Sequence, residues 1–325
     1  MTENPTIHPG DIQWYADTFD RVAGNVESAV LGKRQVVRLA LTCLVSGGHL
    51  LLEDLPGTGK TMLARALAKS LDCSFARIQF TPDLLPSDVT GVTVYDQAHA
   101  EFSFHRGPIF HSLVLADEIN RASPKTQSAL LEVMEEGHVT VDGITHDVGR
   151  PFMVIATQNP IEQAGTYQLP EAQLDRFLMR TSLGHPDAES TELLLAESRV
   201  RDRAAGLLPV VKGPEIEQMG QLADMVHVDR AVIGYVRRLA EASREVPEVR
   251  IGLSTRGCLA WIRAAKAWAL AEGRGHVVPE DVASLAHPVL DHRLLMASGA
   301  AFGGTTSAEV VESLLVQVPV PRDRA

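Results

Sequence analysis

The sequence predicts an α/β fold: a parallel sheet packed between helices, followed by a smaller all-α domain. Three observations lead there. Short apolar runs, "HLLLE" (49–53), "FARIQF" (75–80), "SLVLAD" (112–117) and "PFMVIATQ" (151–158), alternate with segments of helical periodicity. Buried strands that alternate with helices require a sheet covered on both faces. The first run passes through a glycine-rich turn straight into a helix, and after His185-Pro186 no buried-strand pattern recurs.

Taken in order, residues 11–44 read as helix, with apolar positions at helical spacing in "WYADTFDRVAGNVESAVLG" and "VVRLALTCLV". "KTMLARALAKSL" is the helix behind the glycine turn. Two stretches break the alternation. "VTVYDQAHAEFSFH" (92–105) reads as a hairpin around a polar turn, and "HVTVDGITHDV" (138–148) as a second one around Asp142-Gly143, a type I′ signal. Beyond the loop "RDRAAGLLPVVKGP", "STRGCLAWIRAAKAWALAEG" has Ser254 as its N-cap and ends at a glycine. "PEDVASLA" starts on proline, and Thr306 and Glu309 have capping-box spacing. The expected division is 1–186 for the α/β part and 187–325 for the helical part.

Composition narrows the functional classes. A chain of 325 residues, 45% hydrophobic and 22% charged, has material for two globular units with a mainly aliphatic core, since aromatics make up only 5%. The net charge of −11 argues against nucleic acid as the principal partner. Cys43, Cys73 and Cys258 are far apart and form no CxxC pair, which fits reduced thiols in a reducing compartment. The start "MTENPTIHPG" lacks a basic region and an apolar run, and the longest uncharged apolar stretch, 39–52, is too short to span a bilayer. The expectation is a cytoplasmic protein with no membrane insertion.

The chemistry sits at the glycine turn. "EDLPGTGKT" (53–61) nearly matches Gly, four residues, Gly-Lys-Ser/Thr, but Asp54 stands where the first glycine should be. Such a loop binds phosphates through backbone N–H groups, so the Asp54 side chain can point to solvent. Lys60 is placed to meet the β- and γ-phosphates of ATP, and the Thr61 hydroxyl to ligate Mg²⁺. "SLVLADEIN" ends a strand in Asp117-Glu118, at the edge where parallel sheets bind ligands. Asp117 would hold the metal, and Glu118 would polarise an attacking water. Asn159 ends the next strand and could orient that water, although standing alone it would read as an Asn-Pro turn. Arg176 and Arg256, taken alone, read as a surface ion pair and a solvated charge. His287, Asp291 and His292 resemble a metal cluster, but Pro288 is expected to break the helix that would converge them. Trp261 and Trp268, seven apart, read as core or interface residues.

"LLEDLPGTGKTMLARALA", "LVLADEINRASPKTQSALLEVMEE", "VIATQNPIEQAGTYQLPEAQLDRF" and "GLSTRG" together resemble the MoxR family of AAA+ ATPases, over residues 20–320. The "GTYQLPEAQLDRF" segment is the most specific, because a generic phosphate-loop protein has no reason to carry it. The resemblance implies an AAA+ phosphate-loop core with a C-terminal helical lid. It implies nucleotide binding by Asp54, Leu55, Pro56, Gly57, Thr58, Gly59, Lys60, Thr61 and Met62, with Thr61 and Asp117 as Mg²⁺ ligands. Glu118 becomes the catalytic acid, Asn159 the sensor-1 residue and Arg256 the sensor-2 arginine. Arg176 becomes the arginine finger acting on a neighbouring subunit's ATP, with Arg180 as the alternative or an auxiliary. The hairpins resemble the helix-2 and pre-sensor-1 inserts, which tend to face a pore or a partner. The implied function is Mg²⁺-dependent ATP hydrolysis in a homo-oligomeric ring, expected to be a hexamer. That ring would remodel a client protein with a von Willebrand factor A domain. A nucleotide-dependent switch or scaffold with negligible turnover is the alternative, and a nucleic-acid motor is disfavoured by the net acidity.

Overall fold

The computed structural model describes residues 7–160, 166–197, 199, 202–299 and 304–321. Residues 161–165, inside the segment that carries the resemblance, and Arg201 of the connecting loop lie outside them.

Two helices come first, α1 (Pro9–Glu27) and α2 (Arg34–Val45), followed by β1 (Leu50–Glu53) and α3 (Lys60–Ser70). The remaining strands of the main sheet are β2 (Phe75–Gln79), β5 (Leu113–Asp117), β8 (Met153–Gln158) and β9 (Met179–Thr181). All five run parallel, in the order β2-β5-β8-β1-β9. Their apolar runs are buried on both sides, as parallel strands require. Leu50, Leu52, Leu113, Leu115, Met153 and Ile155 face one core, while Leu51, Val114, Ala116, Val154 and Ala156 face the other.

The second core is closed by α5 (Pro124–Glu136), through Leu130, Leu131, Val133 and Met134. The first core extends beyond α1, α2 and α3 into the C-terminal helices α8 (Gly213–Met225), α9 (Arg230–Glu245) and α10 (Thr255–Ala271). Tyr15 is fully buried there and donates its hydroxyl to the Ala267 carbonyl at 3.1 Å. Arg38 donates to Asp20 at 2.8 Å and to Glu272 at 2.6 Å, its guanidinium 5.1 Å from both the Phe19 and the Trp268 ring centroids. Trp261 and Trp268 are core residues, and the Trp261 indole N–H donates to the Val282 carbonyl at 3.0 Å.

Both hairpins form, β3 (Gly91–Asp96) with β4 (Glu101–Arg106) and β6 (His138–Val141) with β7 (Ile144–Asp147). Asp142 and Gly143 have φ of 51° and 78°, as a type I′ turn demands. The hairpins touch through a stack of Phe104 on His146, with centroids 4.1 Å apart.

Three features depart from the sequence reading. The edge strand β9 has only three residues, too few to show a period. The helical part contains a small antiparallel pair, β10 (Val249–Ile251) and β11 (Leu295–Met296). Pro288 does not break its helix: α12 (Ala286–Leu290) runs through it. The proline lies in the first turn, where no helical bond to its nitrogen is needed. His287 therefore does reach Asp291 one turn on, at 3.2 Å, and Glu312 at 2.8 Å, whereas His292 turns inward to the Phe177 carbonyl.

Candidate active site

The phosphate loop leaves the carboxyl end of β1. Gly57 and Gly59 have φ of 84° and 97°, conformations that favour glycine, and nothing lies within 4 Å of where a Cβ would sit. Behind them α3 opens without a side-chain cap, so the amide donors of its first turn face an open cradle. Lys60 Nζ lies over the loop, donating to the carbonyls of Asp54 at 2.9 Å and Leu55 at 3.1 Å. The backbone, the lysine and the Thr61 hydroxyl form a donor set suited to a Mg²⁺-nucleotide.

The two acids at the loop entrance have structural partners. The Asp54 side chain does not point to solvent: the residue is 6% exposed. Its carboxylate accepts from Ser182 Oγ at 2.9 Å and from the backbone N–H groups of Leu183 at 2.5 Å and Gly184 at 3.0 Å. Once β9 pairs with β1, those amides leave the sheet beside Asp54 and need an acceptor there. Glu53 pairs with Arg180 at 3.2 Å. The acids thus fasten the loop to the edge strand and turn away from the cradle.

Asp117 ends β5, two strands from β1 at the same edge of the sheet. Its Oδ1 accepts from the Thr157 hydroxyl at 2.7 Å, and its Oδ2 from Arg77 at 2.6 Å. Glu118 is in the left-handed region, φ 57°, a costly position for a residue with a side chain. Its N–H donates to the same Thr157 oxygen at 2.8 Å, which holds the turn. The Glu118 carboxylate accepts from Gln79 at 2.7 Å and lies 3.2 Å from Arg121. Asn159 follows β8 and is buried. Lys60, Thr61, Asp117, Glu118 and Asn159 therefore share one edge of the sheet. Arg77, Gln79 and Thr157 were not anticipated. The alternation of Arg77 and Gln79 on β2 was the available signal, because it puts both on one face at a strand end.

Arg176 and Arg256 are elsewhere. Arg176 precedes β9, and Leu50 pairs with Met179, so this arginine lies at the amino end of the strands. Its guanidinium meets Glu135 at 3.0 Å, and Arg256 meets the same carboxylate at 2.8 Å. Glu135 lies in the last turn of α5, whose neighbouring Met134 carbonyl accepts from His49 Nε2 at 2.9 Å. His49 Nδ1 in turn accepts from the Val154 N–H at 3.0 Å, at the start of β8. With both nitrogens committed, the imidazole is a fixed neutral tautomer. Burial lowers its pKa to about 4, against the raising effect of the Met134 bond. The length of β1, roughly 13 Å at strand rise, separates this arginine pair from the phosphate loop of its own chain. Arg180, in contrast, lies beside that loop.

Residues 49–179 match the family model described as "ATPase family associated with various cellular activities (AAA)", and residues 241–314 match the AAA lid domain. The chain is 38% identical to Chaperone MoxR1 of Mycobacterium tuberculosis, over 95% of this chain and 84% of that one. It belongs to the MoxR family of AAA+ ATPases. Protein YeaC of Bacillus subtilis is 45% identical over 93% of this chain and 94% of its own. A crystal structure of a candidate ATPase from Cytophaga hutchinsonii superposes with a TM-score of 0.89 at 36% identity, covering 96% and 98% of the two chains. This MoxR-family chain is therefore an ATP hydrolase with an AAA+ core and a helical lid. None of its described helices is long and apolar enough to cross a membrane.

Proposed function

We propose that the chain is a Mg²⁺-dependent ATPase whose complete active sites form between neighbouring copies in a ring, expected to be a hexamer. Residues 1–186 serve as the ATPase core and 187–325 as the lid. One observation carries this reading. Arg176 and Arg256 share Glu135 at the amino end of the sheet, while Lys60, Thr61, Asp117 and Glu118 gather at the carboxyl end. An arginine at that distance cannot reach the phosphates of its own chain, but it suits a neighbour's.

In this scheme Lys60 exchanges the carbonyls of Asp54 and Leu55 for the terminal phosphates. Thr61 and Asp117 hold Mg²⁺, which when bound offsets charge on the phosphate oxygens. For this, Asp117 must give up part of its contact with Arg77. Glu118 polarises the attacking water and Asn159 orients it. Arg176 then neutralises charge that develops on the transferred group, and Arg256 assists it from the same face. The paired hairpins, with Phe102 74% exposed and Tyr95 48% exposed beside it, offer a surface for a client. Client remodelling follows from the relative named as a chaperone and from the family resemblance, which also suggests a von Willebrand factor A domain in that client.

Glu118→Gln tests the assignment of the chemistry. The variant should bind ATP like the unmodified chain by calorimetry and lose about 10²–10⁴-fold in turnover. Specific activity of the unmodified chain should rise with protein concentration as copies assemble. Undiminished turnover in the variant would remove Glu118 from its role, and concentration-independent activity would remove the shared site.

A further inference from the structure

Arg293 plays no part in the chemistry described so far, yet it is the most completely engaged arginine at the amino end of the sheet. Its side chain is 3% exposed. A guanidinium carries five N–H donors in a rigid fork. Here Nε donates to Asp175 Oδ1 at 2.7 Å, one terminal nitrogen to the carbonyls of Leu178 at 3.0 Å and Val289 at 2.5 Å, and the other to those of Asp175 at 3.3 Å and Phe177 at 2.7 Å. Four of the five acceptors belong to residues 175–178, the segment that presents Arg176.

The surroundings are built for this contact. A Cβ on Gly257, next to Arg256, would lie 3.0 Å from Arg293 Cδ and 2.5 Å from Leu253 Cδ1, so glycine keeps the passage open for the arginine stem. Burial and the adjacent Arg293 charge hold the His292 imidazole well below its ordinary pKa, and its Nε2 lies 3.0 Å from the Phe177 carbonyl and 2.9 Å from an Arg293 terminal nitrogen. The Asp175 carboxylate, 23% exposed, completes an ion pair whose arginine is desolvated and so demands close geometry.

The geometry points to Arg293 as the positioning residue of the arginine finger: a lid side chain that fixes the backbone from which Arg176 reaches a neighbour's ATP. This rests on the reading of Arg176 given above. Arg293 touches neither nucleotide nor reacting atoms. It acts through residues 175–178, so its loss impairs the site next door and spares the site of its own chain.

That asymmetry is the test. Arg293→Met should bind ATP normally, unfold at a lower temperature because it orphans the Asp175 carboxylate and buried carbonyls, and turn over about 10²-fold more slowly, the cost of a misplaced catalytic group. Amide hydrogen exchange over residues 174–178 should rise without nucleotide, while that of Thr255–Ala271 stays unchanged. Doping with Lys60→Ala subunits, which bind no ATP but carry an intact finger, should restore part of the turnover. Arg176→Ala is doped in parallel. If Arg176→Ala is not rescued, the finger reading itself fails. If it is rescued and Arg293→Met is not, the finger stands and the role of Arg293 falls. Unchanged exchange over 174–178 would overturn the role as well. Should Arg293→Met not fold, Asp175→Asn removes the charge at constant size and puts the same question, with rescue supporting the role and its absence overturning it.

Discussion

The two ends of the central sheet are built in different ways. At the carboxyl end, each functional group sits on or just beyond a strand: Lys60 and Thr61 after β1, Asp117 and Glu118 after β5, Asn159 after β8. The backbone delivers them, and hydrogen bonds with Thr157, Gln79 and Arg77 trim the directions of Asp117 and Glu118. At the amino end, Glu135, Asp175, Arg176, Arg256 and Arg293 come from four separated stretches and meet through side-chain ion pairs and the bonds of Arg293 to backbone carbonyls. One end is a product of local chain geometry, and the other a product of tertiary packing that joins core and lid.

If the amino end serves a neighbour, its loss should leave ATP binding intact while the carboxyl end governs binding. Arg176→Ala should bind ATP normally and lose about 10³–10⁵-fold in turnover, and Lys60→Ala should bind none by calorimetry. Normal turnover in Arg176→Ala alone, or micromolar ATP affinity in Lys60→Ala, would break the division. A smaller effect sharpens the account of the carboxyl end. Asp54→Gly restores the usual first glycine, yet it deletes the acceptor for Ser182, Leu183 and Gly184. Urea unfolding should show a loss of about 3 kcal/mol, because the bonds are made to a buried charge. Equal or greater stability would mean that the acid plays no structural part.

The smallest effect belongs to His49, which joins α5 to the strand starts. Its folded pKa, about 4, lies below the ordinary value of 6.5. The neutral ring is preferred in the fold, so its contribution is complete above about pH 6.5 and is lost as the pH falls toward 4. Between pH 7 and pH 5 this single group should cost about 2 kcal/mol of stability. His49→Gln should flatten that part of the pH profile, and an unaltered profile would remove the assignment.

The same contrast explains what the sequence made legible. Strand ends announce themselves through an apolar run followed by polar residues, so Lys60, Thr61, Asp117, Glu118 and Asn159 could be picked out with their surroundings unknown. The partners of Asp54 could not, because they lie more than a hundred residues away, just past a strand too short to carry a period. Arg293 likewise has the look of an ordinary helix-end charge in "LDHRLL", and only the packed lid reveals its five acceptors. The segment "QLDRF" hinted at the finger through family resemblance, whereas Glu135, shared by two arginines, left no trace in any local pattern.

The first core cluster has a mechanical meaning. Tyr15, Phe19 and Arg38 from the start of the chain interlock with Trp268 and Glu272 near its end, and the same apolar mass covers one face of the sheet. Swinging the lid away from that face would open this mass to water and strip Arg38 of the Glu272 carboxylate and the Trp268 ring. Elastic motion of any useful size is therefore cheaper at the surfaces where the molecule meets something else. Each chain is thereby a stiff lever, and in the proposed ring the compliant joints would be the seams between neighbouring copies.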